Sequence, residues 1–343
     1  MNPHLEVLAP GAMTTVQDLG RFGAQALGVP VSGALDRDAL RLANALVGNE
    51  AGMECLEIRL FGPTLRVKAD SVRVALTGTE TAIELLGQDS RTVAAGQSAT
   101  LKRGQEFRVS ALRDTATAYL AVACGFDLPE FLGSKSTYTP GGFGGLDGRP
   151  LAQGDTLPLS LASAPAGRDL KVQAAAEPHF QSTVRIVLGP QDDHFSEQGL
   201  ATFLSKPYRV SDQMSRMGIR LLGEEVEHLA GHDIPSDGVV TGAIQVPGNG
   251  LPIILLADRQ TTGGYPKIAA VISADLPSLA RLRPGDEIRF QTVTVAEAEA
   301  ARRDSEAQLK RMIDQLTAVG AVQIDPATLM QVNLISGVVS AAD

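Results

Sequence analysis

Between Cys55 and Ala123 the sequence passes from apolar run to turn about every ten residues, and that cadence limits the fold more than any other feature. Cys55-Leu56-Glu57-Ile58, Thr64-Leu65-Arg66-Val67, Val72 to Leu76 and Ala82-Ile83-Glu84-Leu85 are each of strand length. Ala99-Thr100-Leu101 and Phe107-Arg108-Val109 flank a turn at Arg103-Gly104-Gln105, and Ala118 to Ala123 is wholly apolar. Short strands at this spacing build a barrel or a sandwich. The 35 Gly and 19 Pro supply the turns.

The cadence resumes after Ser160 to Gln181, a stretch rich in Ala and Pro without a strong period. Val184 to Leu188, Tyr208-Arg209-Val210 and Ser215 to Leu221 read as strands, and Phe195 to Leu204 as a short helix. The segment Leu282 to Phe290 echoes Leu101 to Val109. Asp36 can cap a helix through Leu40 to Val47, ended by Gly48. Val295 to Leu316 is helical, with Ala298, Ala301, Leu309, Met312, Ile313 and Leu316 as its stripe. The expectation is a mainly β chain with a few helices: two β-barrel-like domains, 1–165 with a short helix and 182–295, then a C-terminal helix and tail over 296–343.

Composition excludes some functions. The formal net charge of -9 points away from nucleic acid and anionic membranes. No apolar run approaches the roughly 20 residues that span a bilayer. Met1 to Glu6 has neither a basic nor an apolar leader pattern, so a cytoplasmic location is expected. Cys55 and Cys124 lie among apolar residues and read as free thiols, although a disulfide between them is compatible with the sequence.

Chemistry gathers in Gly242 to Ile272. A strand signal at Ala243 to Val246 leads to a turn at Pro247 to Gly250 and an apolar run, Leu251 to Ala257. Then come Asp258, Arg259, Gln260, Thr261, Thr262, Gly263, Gly264, Tyr265, Pro266 and Lys267 before the apolar run Ile268 to Ile272. Loops held by rigid strands commonly carry binding chemistry. The alternative is a hairpin tip of solvated side chains. Arg216, in an apolar stretch, is either an anion anchor or a solvated strand residue. Thr15 to Gly23 is polar and Gly-punctuated. Its Asp18, like Asp36, serves either a cap or a site. His228 and His232 have i,i+4 spacing but no third ligand, so no metal is expected. Ser134 to Gly148 is Gly-rich without a following Gly-Lys-Ser/Thr, so it is no P-loop. No ATP or biotin-attachment motif is present.

The motifs TVQDLGR (15–21), GVPVSGALD (28–36), ANALVGN (43–49), SRMGIRL (215–221), SDGVVTGAIQVPGNGLPIILLADRQTTGGYPKIA (236–269) and LRPGDEIRF (282–290) resemble the carboxyltransferase, or allophanate hydrolase subunit 2, family. That family includes the C-type subunit of bacterial 5-oxoprolinase, the antagonist of the sporulation kinase inhibitor, and part of the carboxyltransferase region of urea carboxylase. The resemblance implies barrels related to the cyclophilin-like barrel. It also implies work beside a B-type sister protein and an A-type catalytic protein. The expected activity is opening of 5-oxoproline to L-glutamate, with ATP used by the assembled complex. Carboxyl transfer to a urea-like amide from carboxybiotin on a partner is the alternative, and a non-enzymatic regulator binding a kinase inhibitor is a third reading. Asp258, Lys267 and Asp18 are the candidate catalytic groups. Arg259, Gln260, Thr261, Thr262, Tyr265, Arg216, Gln17, Arg21 and Gln245 are the candidate substrate-binding groups, and Asp18 and Arg21 are expected to meet Asp258, Gln260 or Lys267 across one cleft.

Overall fold

The computed structural model describes residues 2–88, 90–173, 182–229 and 231–320. The expected tail beyond residue 320 and part of the expected boundary, 174–181, lie outside them.

In the first half, a six-stranded sheet runs in the order Thr156–Pro158, His4–Ala9, Thr64–Val67, Glu106–Val109, Ile83–Leu86, Arg91–Val93. A five-stranded sheet runs Thr15–Gln17, Cys55–Arg59, Thr117–Val122, Ser71–Thr77, Ser98–Lys102. Alternation explains how they stack, because successive side chains point to opposite faces. Leu56, Ile58, Leu120 and Val122 join Leu5, Leu65, Ile83 and Phe107 of the other sheet in one core. Cys55, Tyr119 and Ala121 point the other way, under helix α1 (Arg37–Val47).

Helix α1 begins where its sequence says. The Asp36 carboxylate accepts the Ala39 N–H at 2.8 Å, and Gly48 closes the helix in the left-handed region. Two short helices, α2 (Glu197–Ser205) and α3 (Leu276–Leu279), belong to the second half, and the outer side of α1 meets helix α4 (Val295–Asp314) through Leu42, Leu309 and Met312. Thr294 and Glu297 form a capping box at the start of α4.

The second half is a closed seven-stranded barrel. Its order is Thr183–Leu188, Lys267–Val271, Ala243–Gln245, Ile253–Leu255, Gly218–Leu222, Tyr208–Met214, Glu287–Thr292. A parallel pairing of the last strand with the first closes it. Ile186, Ile219, Ile244, Ile254, Ile268 and Ile288 are fully buried and fill it. Of the apolar run Leu251 to Ala257 only Ile253–Leu255 joins the ladder; Leu256 and Ala257 stay buried as the chain turns towards the first half. Cys55 and Cys124 are free thiols.

Candidate functional site

The halves meet around Arg216, in the turn between the barrel strands Tyr208–Met214 and Gly218–Leu222. Its guanidinium donates to Asp258 through Nε at 2.8 Å and Nη2 at 3.0 Å. It also donates to Glu57 at 2.5 Å, to the Gly33 carbonyl at 2.7 Å and to the Gln17 side-chain oxygen at 3.3 Å. Burial alone would lower the pKa of Arg216; Glu57 and Asp258 outweigh it and raise it above the usual arginine value. The second Glu57 oxygen accepts from the Tyr119 hydroxyl at 2.6 Å and from the Leu35 N–H at 3.0 Å. Burial, reinforced by Glu57, pushes the Tyr119 phenol well up, so it remains a donor.

Ser32 donates its hydroxyl to Asp258. It sits at φ 57, in the left-handed region that non-glycine residues rarely enter. The next residue, Gly33, has no such choice: a Cβ there would lie 2.6 Å from the Gly20 nitrogen. This close crossing of 19–20 over 31–33 delivers the Gly33 carbonyl to Arg216.

Arg21 is fully buried behind the cluster. Its Nη2 donates to the Ser136 carbonyl, and its guanidinium stands 5.0 Å from the centre of the Phe143 ring. Nε and Nη1 have no acceptor among the described residues. Burial lowers the Arg21 pKa, against the pull of Asp18 and Asp258. The Gly-rich segment 134–148 covers this side. Gly144 lies against Arg21 because a Cβ there would meet the Ser136 carbonyl at 2.1 Å. Burial, with Asp258 nearby, raises the pKa of Tyr138 from the same segment.

The remaining candidates separate. The Asp18 carboxylate accepts from the Gly20 N–H at 2.7 Å, from Ser134 at 2.7 Å, from Ser136 at 2.5 Å and from the Lys135 N–H at 2.7 Å. All four partners belong to the first half, and none is Asp258, Gln260 or Lys267, so the expected approach of Asp18 to those three is corrected: short polar side chains satisfy loop donors locally. Of that motif, Gln17 accepts from Arg216, while Arg21 acts on Asp258 through its charge. Arg259 does not present an open fork either. It donates to the Val239 carbonyl at 3.2 and 3.1 Å and to the Thr241 hydroxyl at 2.8 Å.

Lys267 is buried and pairs with Asp237 at 2.9 Å. Gln260 donates to Gln245 at 3.3 Å, and Gln245 donates to the Tyr265 carbonyl at 3.4 Å. Thr262–Gly263 pairs with Asp237–Gly238 as a small ribbon. Thr261 donates no side-chain bond, but its carbonyl accepts the Val239 N–H at 3.1 Å. Tyr265 is exposed. The expected single loop of site residues therefore divides: Asp258 faces the first half, whereas Lys267, Gln245 and Gln260 serve the ribbon. His228 donates to the Val246 carbonyl at 3.0 Å and packs its ring on Phe195. Among the described residues no group of His, Cys, Asp and Glu could hold a metal.

A cavity of about 630 Å³ lies between the halves, and Ser32, Ala257, Thr241 and Leu256 form part of its wall. Its size is in the range of small-molecule sites, roughly 300–1,000 Å³. Ser32 thus joins the cavity to the buried Arg216–Asp258 pair. Glu57, Tyr119, Ser32, Ser136 and Tyr138 are members of this arrangement that sequence reasoning did not single out. The one visible signal was Glu57, an acid inside the apolar strand Cys55–Arg59.

A sheet pair and a closed barrel joined through buried ion pairs, with a cavity beside them, define a two-part protein whose site is shared by both parts. The chain belongs to the carboxyltransferase domain family, subdomains A and B, whose family model matches residues 27–292. It is 38% identical over 309 residues to the Escherichia coli K12 protein named as the C-type subunit of 5-oxoprolinase, covering 90% of this chain and 97% of that protein. Its identity to the protein of the same name from Haemophilus influenzae is 33%, with 91% and 99% covered. The crystal structure of the K. lactis urea amidolyase superposes with a TM-score of 0.83 at 30% identity, over 96% of this chain and 21% of that one.

Proposed function

We propose that this chain is the C-type subunit of an ATP-dependent 5-oxoprolinase, opening 5-oxoproline to L-glutamate together with partners of A and B type. The observation that carries the reading is the match to the E. coli C-type protein over 97% of its length. A lactam is a resonance-stabilised amide. In this reading ATP, used by the assembled complex, activates the ring carbonyl by phosphorylating its oxygen and leaves as ADP; water adds at that carbon, the ring C–N bond breaks to give the free amine and an acyl phosphate, and a second water cleaves that acyl phosphate to the carboxylate and phosphate.

The role of this chain's residues follows from the cavity wall. Ser32 donates its hydroxyl hydrogen bond to Asp258, so its oxygen lone pairs remain to accept the lactam N–H. Asp258 is the group behind it for proton handling, and Arg216 fixes Asp258 in place through two hydrogen bonds. Arg21 presents idle donors on the other side of the same cluster. Lys267, held by Asp237, is assigned to shaping the ribbon.

The test is 5-oxoproline-dependent ATP hydrolysis by A- and B-type partners with and without this chain. Turnover should require all three, and the chain alone should be inactive. Equal turnover without the chain would refute the proposal. A second reading, carboxyl transfer from carboxybiotin on a partner to a urea-like amide, is favoured by the likeness to the K. lactis urea amidolyase over 96% of this chain. Biotin-dependent carboxylation of urea, with no 5-oxoproline turnover, would select it.

A further inference from the structure

The cavity beside Ser32 has a second wall that the reading above does not use. Helix α1 contributes Arg37, Asp38 and Arg41, and helix α4 contributes Arg302, Ser305 and Glu306. Spacing of three and four residues puts Arg302, Ser305 and Glu306 on the side of α4 that faces α1. The charges on this wall are not equally compensated. Arg41 donates to both Glu306 oxygens at 3.0 and 2.9 Å and lies 3.9 Å from Asp38, so its charge is matched.

Arg37 and Arg302 are different. Arg37 makes one hydrogen bond, to the Leu19 carbonyl at 3.3 Å, and stands 5.7 Å from the centre of the exposed Phe22 ring. Arg302 has no hydrogen bond and no ion pair among the described residues. Both line the same cavity, close enough that Arg302 opposes the charge on Arg37. Asp38 offsets part of the Arg37 charge but is shared with Arg41, 3.9 Å away. The wall thus holds Arg37, Arg41 and Arg302 against Asp38 and Glu306, and the two exposed guanidiniums left with that positive excess suit an oxyanion, since Arg binds carboxylate and phosphoryl oxygens through paired N–H donors. Leu19 and Phe22 supply an apolar flank beside them.

The geometry points to an anion-binding site between α1 and α4, in which Arg37 and Arg302 hold the oxyanion of a small molecule that occupies the cavity next to Ser32. Under the 5-oxoprolinase reading, on which this assignment of the ligand rests, the oxyanion is the carboxylate of 5-oxoproline; a phosphoryl group is the other source of the same chemistry.

Calorimetric titration of the full chain, alone and in the assembled complex, tests this with three probes: 5-oxoproline, 2-pyrrolidinone (the same lactam without the carboxylate) and inorganic phosphate. 5-Oxoproline should bind, and 2-pyrrolidinone should bind at least about tenfold more weakly. Arg37→Gln and Arg302→Gln should each weaken 5-oxoproline by about tenfold and leave 2-pyrrolidinone unchanged, because the uncharged ring lacks the group they hold. Arg303→Gln, one position along and paired with Glu299, should change nothing. Phosphate binding that Arg302→Gln abolishes, without binding of 5-oxoproline, would support the anion site and sink the 5-oxoproline reading instead. Binding of 5-oxoproline that neither Gln variant weakens would overturn the site and leave that reading standing. Failure of both anions to bind the chain and the complex would overturn the site outright.

Discussion

Replacing Arg216 should cost more stability than any other single change at the junction. The Arg216 side chain is 10% exposed, and those of Glu57 and Asp258 are 1% and 2% exposed. Arg216→Ala removes the one cation hydrogen-bonded, among the described residues, to both buried carboxylates, leaving Arg21 and Arg59 to act on them through their charge alone. Removing one partner of a buried pair costs about 3–5 kcal/mol. Folded domains hold only about 5–15 kcal/mol, so the loss is a large share of the total.

Arg216→Lys keeps the charge, yet one ammonium cannot reach Asp258, Glu57, the Gly33 carbonyl and Gln17 from one atom. Loss of one charge-assisted hydrogen bond, about 1.5–3 kcal/mol, places the Lys variant that far below wild type. Urea unfolding followed by circular dichroism measures both. The triple change Arg216→Met, Glu57→Gln, Asp258→Asn should be less destabilising than Arg216→Ala, because no charge is left unpaired. An Arg216→Ala midpoint indistinguishable from wild type would refute the claim that these ion pairs hold the halves together.

Three further outcomes follow from the same contacts. Burial, and then Asp36, pushes the Asp38 carboxyl up to about 6, against the pull of Arg41 and Arg281 and with Glu306 adding to the rise; the folded state therefore binds that proton more tightly than the unfolded chain, and stability falls as pH rises from about 4 to 6. Asp38→Asn should raise the thermal midpoint at pH about 8 and leave it nearly unchanged at pH about 4; an equal shift at both would show that the carboxyl does not titrate there. Tyr119→Phe removes a donor from Glu57 and an acceptor from the Asp36 N–H, and chemical denaturation should show a loss of about 1–3 kcal/mol. Arg259→Lys cannot reproduce the paired bonds to Val239, so hydrogen exchange should rise at Val239 to Thr241; unchanged protection there would release Arg259 for another role.

The strands and helices were legible because each depends on neighbours in sequence. Period-two alternation marks Thr64–Val67 and Glu106–Val109, and Asp36 with Gly48 marks both ends of α1. The site was legible only as residue types. Arg216 could be read as an anchor or as a solvated strand residue, and nothing local decides between them. Its partner Glu57 lies 159 positions away, and Ser32 lies 226 positions from Asp258. No short-range pattern encodes such pairs. Asp18 illustrates the opposite error. Its motif reads as part of a cleft, but its carboxylate is consumed by Ser134 and Ser136 of a Gly-rich segment whose sequence says only that it is no P-loop.

The placement of the ion pairs connects folding to the site. Glu57 is supplied by a sheet of the first half, while Arg216 and Asp258 are supplied by turns of the barrel. Among the described residues of the first half, the hydrogen-bond donors to Glu57 are Tyr119 and the Leu35 N–H, neither of them charged, with the Arg59 charge acting on it without a hydrogen bond. Among the described residues of the barrel, Arg216 donates to Asp258 alone, leaving the donors that reach Glu57 and the Gly33 carbonyl unused. A buried ion without a matched partner is costly, so each half completes the other's electrostatics. Ser32 lies on the seam, bound through its N–H to the Ala257 carbonyl at 3.1 Å and through its hydroxyl to Asp258. The cavity wall it forms therefore acquires its geometry only when the halves are docked, so the same contacts that hold them together also set the direction in which the Ser32 oxygen faces a ligand.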